Sequence, residues 1–323
     1  MIKPKITLII PVYNEASHIS DSYAAISAKL PYDLADFDFI FIDDGSSDST
    51  WIELLKISSV NRGIRTLRFS RNFGKEAALC AGLEHFSGDA CITMDSDLQH
   101  PPELIAEMVR LWNDEGYEIV EGLKTTRGKE SILKKAGALL FYFIMFKLSG
   151  VRLSNASDFK LMDSKVVNAW KKMKEHDTFM RGMSAWLGFR KTSVDFSVSQ
   201  RSQGNSKWSF LRLFKLAVNA ITSFSSLPMH IVTIIGVLFF IGSLILGIHT
   251  LYMKLTGSAL DGFTTIILLQ LIIGSTLMLS LGIIGSYIAR IFNEVKMRPR
   301  YIISEDSMSS KPDDKNRKDY GIQ

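Results

Sequence analysis

The sequence is poor in the residues that build several common kinds of functional site. Of its 323 residues, two are cysteine and six are histidine. Cys80 and Cys91 lie in apolar surroundings without metal-ligand spacing, so we expect buried free thiols in a reducing compartment. The histidines form no H-x-x-x-H pair of the kind that binds zinc on a helix. We therefore expect neither a zinc site nor a disulfide framework.

Two glycine-rich nucleotide-binding motifs are also missing. No G-x-G-x-x-G follows the first predicted strand, which argues against a nicotinamide-dependent enzyme. Residues 73–76 lack the earlier glycine, and the Ser or Thr after lysine, that a P-loop requires. Lys and Arg form no long basic block, and the net charge is only +5. This balance suits a protein at an anionic membrane face, and we expect no nucleic-acid partner.

Long uncharged runs, by contrast, are present near the C-terminus. No Asp, Glu, Lys or Arg occurs in residues 216–253, and a second such run covers residues 262–289. A hydrocarbon core of roughly 30 Å requires about 20 apolar residues. We therefore predict two transmembrane helices, at about 229–253 and 262–289, within residues 228–290. The alternative is a pair of buried helices in a soluble domain.

Charges around these runs predict how the hairpin is oriented. Arg212 and Lys215 precede it, and further basic residues follow it, so the positive-inside rule places both ends in the cytoplasm. The N-terminal apolar run ends at Pro11 and is too short for a secretory signal. We expect residues 207–227 to form an interfacial amphipathic helix. Residues 291–323 are expected to be a cytoplasmic tail, disordered beyond Ser304.

The first 206 residues show an alternation of strand and helix signals. Short β-rich runs occur at residues 6–10, 37–42, 64–69, 90–94 and 117–120, with helical stretches between them. This order predicts an α/β domain whose mainly parallel sheet is covered by helices on both faces. Ligands of such sheets gather at the carboxyl ends of the strands.

Acidic motifs follow two of these strands. Asp95 and Asp97 come directly after a buried strand, with the amide of Gln99 close behind. Oxygen ligands suit a hard divalent cation that would hold a diphosphate. The alternative is a solvated Asp-rich turn that enters a helix. Asp43 and Asp44 follow the strand at residues 37–42, and this motif also suits a turn that caps the next helix.

Three motifs, at residues 11–15, 43–50 and 95–102, resemble in this order those of family 2 glycosyltransferases with the GT-A fold. Together with the predicted hairpin, they resemble the polyprenyl-phosphate glycosyltransferases. The bactoprenol glucosyltransferases are the nearer likeness, and the dolichol-phosphate mannose synthases are a more distant one. The resemblance extends from about residue 6 to residue 300. The Gln-x-x-Arg-Trp motif of processive polysaccharide synthases is absent.

The resemblance implies roles for individual residues. Pro11, Tyr13 and Glu15 would form a wall around the base and ribose, and Ser96 would lie beside the donor. Asp43 or Asp44, at a strand end, would accept a hydrogen bond from a uracil N–H or a ribose hydroxyl. Asp97 and Gln99 would bind Mg²⁺ or Mn²⁺, with Asp95 reaching the metal or the sugar. The metal would stabilise the departing nucleoside diphosphate as a Lewis acid.

Basic residues are implied to assist at the phosphates. Lys124 and Arg127 follow the strand after the acidic motif, although relatives often carry arginine where Lys124 stands. Arg201 and Lys207 belong to a Gly-containing loop near the diphosphate. Arg127 and Arg201 are expected to contact the phosphate of the donor or of the acceptor, and Lys207 that of the acceptor.

Asp158 matches the position of the catalytic base in this family. A phosphate monoester has its second pKa near 6, so the acceptor is already largely anionic at neutral pH. Asp158 is therefore expected either to act as the base or to position the acceptor. Direct attack by the acceptor phosphate would invert the anomeric centre.

The implied enzyme is a hexosyltransferase of the bacterial inner membrane, with its catalytic domain on the cytoplasmic side. It would move glucose from UDP-glucose to polyprenyl phosphate, for modification of a surface polysaccharide such as O-antigen. Alternative donors are GDP-mannose and a UDP-linked amino-arabinose. A non-catalytic, membrane-anchored relative is the alternative of another class. Relatives form homo-oligomers, which is therefore also expected here.

Overall fold

The structure is a computed structural model that describes residues 3–124, 156–173, 175, 180–196, 227–256 and 262–308. The chain divides into two units. The first comprises Met1–Ala138, Val151–Gly204 and Arg298–Gln323, and the second comprises Leu139–Gly150 and Asn205–Met297.

The described part of the first unit contains eight strands in one sheet. These are β1 (Lys5–Val12), β2 (Asp36–Asp43), β3 (Ile64–Phe69), β4 (Ala90–Thr93), β5 (Ile119–Lys124), β6 (Ala156–Asp163), β7 (Lys191–Phe196) and β8 (Ile303–Asp306). Their order across the sheet is β7-β5-β6-β4-β1-β2-β3-β8. The pairs β1–β2, β1–β4, β2–β3 and β5–β7 are parallel, whereas β6 is antiparallel to β4 and β5, and β8 to β3. The predicted mainly parallel sheet is confirmed.

Helices cover both faces of this sheet, as the alternation of signals predicts. They are α1 (Ile19–Ser27), α2 (Thr50–Val60), α3 (Lys75–Glu84), α4 (Ile105–Asn113), α5 (Ser164–Lys171) and α6 (Met180–Trp186). Strand β1 is buried on both faces because its side chains alternate. Ile6, Leu8 and Ile10 join a core with α1, α2 and α4, whereas Ile9 joins the core with α3, α5 and α6.

The topology brings several chain segments to one edge of the sheet. Strands β1 to β4 run parallel, so their carboxyl ends all lie at this edge. Strand β6 runs the other way, with Lys160 opposite Thr93 of β4. The beginning of β6 therefore lies beside the end of β4, and Asp158 is brought next to the acidic motif at residues 95–97.

The C-terminal segment corrects one expectation. Residues beyond Ser304 are predicted to be disordered, but residues 305–306 belong to β8, which pairs with β3 at the edge of the sheet. The structure describes the chain as far as residue 308, and the prediction for the later residues stays a prediction. The guanidinium of Arg65 lies 2.7 Å from the carboxylate of Asp306, and Tyr301 stacks on Phe69 with ring centroids 4.9 Å apart. The polar composition is misleading here because an edge strand needs only backbone partners and exposed side chains.

The second unit contains two long helices, α7 (Leu227–Leu255) and α8 (Phe263–Val295). Within them, Val232–Met253 and Ile272–Val295 are long and apolar enough to cross a membrane, judged by length and composition alone. The predicted spans overlap these helices, and α8 continues beyond residue 289 to Val295. The predicted interfacial helix at residues 207–227 lies outside the described residues, except for Leu227.

Candidate active site

A cleft of about 340 Å³ opens at the carboxyl ends of the parallel strands. Its lining comes from the last residues of β1 and from the segments that follow β1, β2, β3 and β4. Most of the residues in it belong to motifs that the sequence indicates as functional. The lining residues are Pro11, Val12, Tyr13, Glu15, Asp44, Asn72, Gly74, Lys75, Asp95, Ser96 and Asp97.

The segments after β1 and β2 are joined by hydrogen bonds. Asn14, whose φ is +55°, donates from its backbone N–H to Ser46 Oγ over 2.9 Å. Its side-chain oxygen accepts from the N–H of Ser47, and the N–H of Glu15 donates to Thr50 Oγ1 over 2.8 Å. The exposed Tyr13 and the half-buried Glu15 are thereby held at the cleft.

Asp43 and Asp44 have different surroundings. Asp43 is fully buried, and its Oδ1 accepts from the N–H of Ser46 over 2.9 Å. Within the described residues its Oδ2 has no hydrogen-bond donor and lies 3.5 Å from Arg68 Nε. Burial raises the pKa of Asp43, although the bonds from Ser46 and the charge of Arg68 oppose this.

Asp44 lines the cleft but uses its carboxylate to hold a turn. Its oxygens accept from the backbone N–H groups of Phe73, over 2.7 Å, and Gly74, over 2.9 Å. Asp48, two residues before the start of α2, accepts from the N–H of Thr50 over 3.0 Å. The predicted contacts of Asp43 or Asp44 with base and ribose stay predictions.

The acidic motif follows β4 in a tight loop. The N–H of Asp95 donates to Nδ1 of His100 over 3.1 Å, and Asp97 Oδ1 accepts from the N–H of Gln99 over 3.1 Å. His100 is buried and stacks on Phe159, and this burial lowers the pKa of its imidazole. The neutral ring can therefore accept the hydrogen bond that shapes the loop.

Negative charge predominates in the cleft. Its lining contains the carboxylates of Glu15, Asp44, Asp95 and Asp97, with Lys75 as the one ammonium among the described lining residues. Burial raises the pKa of Glu15; a bond from Ser96 opposes this rise, and Asp97 and Asp95 add to it. A bound cation would relieve this repulsion.

The donor set fits a hard divalent cation. Asp95 and Asp97 would hold it through carboxylate oxygens, with the predicted help of Gln99. Across the described ranges, no three His, Cys, Asp or Glu side chains form a ready ligand cluster. Mg²⁺ does not require one, because it is commonly held by one or two carboxylates together with substrate phosphates.

Asp158 is not in the lining of this cleft but is joined to it through Lys75. Its backbone oxygen accepts from Thr93 Oγ1 over 2.5 Å, which ties β6 to β4. Its Oδ2 lies 2.8 Å from the ammonium of Lys75, which also lies 2.6 Å from Asp95 Oδ1. One lysine thus joins the predicted catalytic carboxylate to the predicted metal-binding motif.

Comparison with known proteins identifies the family of this chain. Residues 7–168 match the family model described as glycosyl transferase family 2. The chain belongs to glycosyl transferase family 2. This match confirms the predicted family and the enzyme class, a glycosyltransferase, and it agrees with the α/β fold predicted for the GT-A class.

Three relatives match this family 2 glycosyltransferase over nearly its whole length. A glycosyltransferase of Synechocystis sp. is 37% identical, over 93% of this chain and 95% of the relative. The glycosyltransferase YkcC of Bacillus subtilis is 35% identical, over 93% of each chain. The prophage SfII-derived bactoprenol glucosyl transferase of Shigella flexneri is 35% identical, over 93% of this chain and 98% of the relative.

Several predicted site residues of this glycosyltransferase lie outside the cleft lining or outside the described residues. Arg127, Arg201 and Lys207 lie outside the described residues, so their predicted phosphate contacts stay predictions. Lys124 is the last residue of β5, and only its backbone is described. Asp43 lies behind the cleft rather than in its lining.

Sequence reasoning about this glycosyltransferase misses Lys75. The only interpretation that the sequence offers for Gly74 and Lys75 is a P-loop, and the other residues of that motif are missing. A weak signal was available, since a glycine and a lysine stand where the loop after a parallel strand gives way to a helix, at the edge where ligands gather. Its pairing with Asp158 depends on contacts between residues 83 positions apart, which no local pattern reveals.

Proposed function

We propose that this family 2 glycosyltransferase moves a hexose, glucose from UDP-glucose, to polyprenyl phosphate. The observation that carries the proposal is the 35% identity to a bactoprenol glucosyl transferase over 98% of that protein's length. Asp95 and Asp97 line one cleft, and Asp158 is joined to its lining through Lys75. This arrangement supports the proposal, because a donor diphosphate and an acceptor phosphate must both reach the reacting carbon.

Different residues of the chain would bind the nucleoside, the metal and the phosphates. Tyr13 and Glu15 would contact the nucleoside half of the donor, and the oxygens of Asp95, Asp97 and Gln99 would hold Mg²⁺ or Mn²⁺. Such a cation, when bound, neutralises the charge that develops on the departing diphosphate. Arg127, Arg201 and Lys207 would bind phosphate groups, and Lys124 the donor.

Asp158 would align the acceptor phosphate or remove its remaining proton. The acceptor oxygen attacks the anomeric carbon while the bond to the diphosphate breaks, and no covalent enzyme intermediate forms. The configuration at that carbon is then inverted. The products are the polyprenyl-phosphate-linked sugar and UDP.

The two long helices would anchor the enzyme in the membrane that contains the acceptor. Apolar side chains such as Phe240 (67% exposed) and Leu279 (72% exposed) project outward from α7 and α8, and hydrocarbon lipid would bury them. We propose that α7 and α8 form a hairpin across the bacterial inner membrane, with the catalytic unit in the cytoplasm. An acceptor whose tail cannot leave the bilayer requires such an anchored enzyme.

One assay tests the donor, the acceptor and the metal together. Membranes containing the full-length protein are incubated with labelled UDP-glucose, GDP-mannose or UDP-linked amino-arabinose, with and without polyprenyl phosphate and EDTA. We expect label in the organic phase only from UDP-glucose, only with the lipid, and not with EDTA. Label from another donor would overturn the sugar assignment. No label from any donor would overturn the transfer itself and favour a non-catalytic role.

A further inference from the structure

The position of Lys75 is set by a turn that another acidic residue holds. Asp44 accepts from the N–H groups of Phe73 and Gly74, directly before α3 begins. Gly74 has a φ of +99°, in the left-handed range that glycine enters at little cost. Lys75 is the first residue of the helix, so its side chain leaves the backbone at the edge of the cleft.

The ammonium of Lys75 is shared between two carboxylates of unequal exposure. It lies 2.6 Å from Asp95 Oδ1 and 2.8 Å from Asp158 Oδ2. The side chain of Asp95 is 31% exposed and that of Asp158 only 8%. Both contacts are ion pairs, so the ammonium of Lys75 faces two negative charges at once.

We propose that Lys75 is a positioning residue, whose ammonium orients Asp158 toward the acceptor and competes with the divalent cation for Asp95. This inference rests on the proposed transfer reaction, since it assigns a task to Asp158 in that reaction. Two cations that share one carboxylate oxygen repel each other. When the metal binds Asp95, the contact between Lys75 and Asp95 is therefore weakened, and the ammonium of Lys75 interacts mainly with Asp158, the more buried partner.

The alternative is that Lys75 only neutralises charge for the sake of folding. The two roles predict different effects of removing the ammonium. If Lys75 only neutralised charge, its removal would lower the unfolding midpoint but leave the kcat of the folded protein unchanged. A positioning residue that competes for Asp95 would, when removed, let Mn²⁺ bind more tightly while turnover falls. Metal affinity and kcat would thus move in opposite directions.

The variants are Lys75→Met, which keeps the length but removes the charge, and Lys75→Arg, which keeps the charge. Lys75→Gln replaces the methionine variant if that variant unfolds. Lys56→Met is the matched control, because Lys56 pairs with Glu53 at 2.7 Å on the exposed face of α2. Asp95→Asn reports whether Mn²⁺ binds at this site. Free Mn²⁺ is titrated by electron paramagnetic resonance with full-length protein in detergent, without substrate.

We expect Lys75→Met to bind Mn²⁺ about two- to fivefold more tightly, the range set by a partly exposed ion pair. Its kcat should fall at least about tenfold, as misplaced catalytic groups do, with the donor KM unchanged. Lys75→Arg should recover part of kcat, and Lys56→Met should match the wild type.

Unchanged or weaker Mn²⁺ binding by Lys75→Met would overturn the inference. So would a smaller fall in kcat, an increase in donor KM as the main effect, or an equal loss of kcat in the methionine and arginine variants. If the wild-type protein transfers no sugar from any donor, the proposed function fails instead. The Mn²⁺ titrations still decide the competition for Asp95 in that case.

Discussion

The carboxylate of Asp44 accepts a hydrogen bond of 2.9 Å from the backbone N–H of Gly74, and so joins the loop after β2 to the loop after β3. The two loops also touch through their backbones. A Cβ built on Gly45 would lie 2.4 Å from the carbonyl carbon of Arg71. Gly45 is therefore required for the close approach that places Asp44 and Lys75 in one cleft.

This close approach predicts unequal effects for two glycine substitutions. Gly45 and Gly74 both have positive φ, at +68° and +99°, but a Cβ on Gly74 would have no atom within 4 Å. Gly74 has a ψ of 156°, in a region that is essentially restricted to glycine, so Gly74→Ala should cost roughly 1–3 kcal/mol through backbone strain alone. Gly45→Ala adds a backbone clash, and we expect a further loss of about 1–3 kcal/mol. Thermal unfolding of the two variants in detergent measures the difference, and equal midpoints would contradict it.

Removal of the metal ligands should abolish metal binding without unfolding the protein. Asp97 is exposed, so Asp97→Asn should leave the unfolding midpoint within the range of ordinary surface substitutions, about 0.5 kcal/mol. Its activity should fall at least about a hundredfold, because charge on the leaving diphosphate is no longer neutralised. EDTA should abolish wild-type activity, and added Mn²⁺ or Mg²⁺ should restore it. Full activity of Asp97→Asn in EDTA would show that the site holds no catalytic metal.

Substitution of Asp158 should separate turnover from donor binding. Asp158→Asn keeps the shape of the side chain but loses the charge that faces Lys75 and the acceptor. We expect kcat to fall by about 10²-fold, at the lower end for general-base groups because the acceptor is already anionic. The affinity for UDP with Mn²⁺, measured by calorimetry, should stay within about threefold. A collapse of UDP affinity would assign Asp158 to the donor instead.

The ion pair between Arg65 and Asp306, which holds β8 against β3, predicts that the free energy of unfolding depends on pH. Burial opposes the charge of Asp306, but hydrogen bonds from Arg65 hold the pKa of this carboxyl below its ordinary value of 3.8. A depressed folded-state pKa contributes stability above the unfolded pKa, and this contribution is lost as the pH falls through the folded value. Asp306→Asn should therefore cost about 1 kcal/mol at pH 7. Its difference from the wild type should shrink below about pH 4.

The control for this prediction is an ion pair with the same N···O distance whose side chains are more exposed to solvent. Lys56 and Glu53 also lie 2.7 Å apart, but their side chains are 65% and 28% exposed, against 22% and 17% for Arg65 and Asp306. Glu53→Gln should leave the unfolding midpoint nearly unchanged at every pH. Fluorescence of Trp51, whose Nε1 donates to Glu305 in β8, offers a local reporter. Equal effects of the two substitutions would contradict a special role for the β8 pair.

Much of the fold could be predicted from local sequence patterns. All five predicted strands are present, because runs such as residues 6–10 are apolar on both faces, as strands of a covered parallel sheet must be. The positions of Asp95 and Asp97 after β4 follow from the same pattern. The strands β6, β7 and β8 escaped prediction because β6 and β7 mix charged and apolar residues, and β8 is a short polar edge strand.

The sequence by itself determined the α/β class, the family, the two apolar helices and the acidic motif at a strand end. These depend on periodicity, composition and motif order, which are local properties of the chain. Only the tertiary structure decided that Lys75 lies between Asp95 and Asp158, and that residues 303–306 complete the sheet. Both depend on which strands become neighbours and in which direction they run. Those choices are made by long-range packing, and no stretch of the sequence encodes them alone.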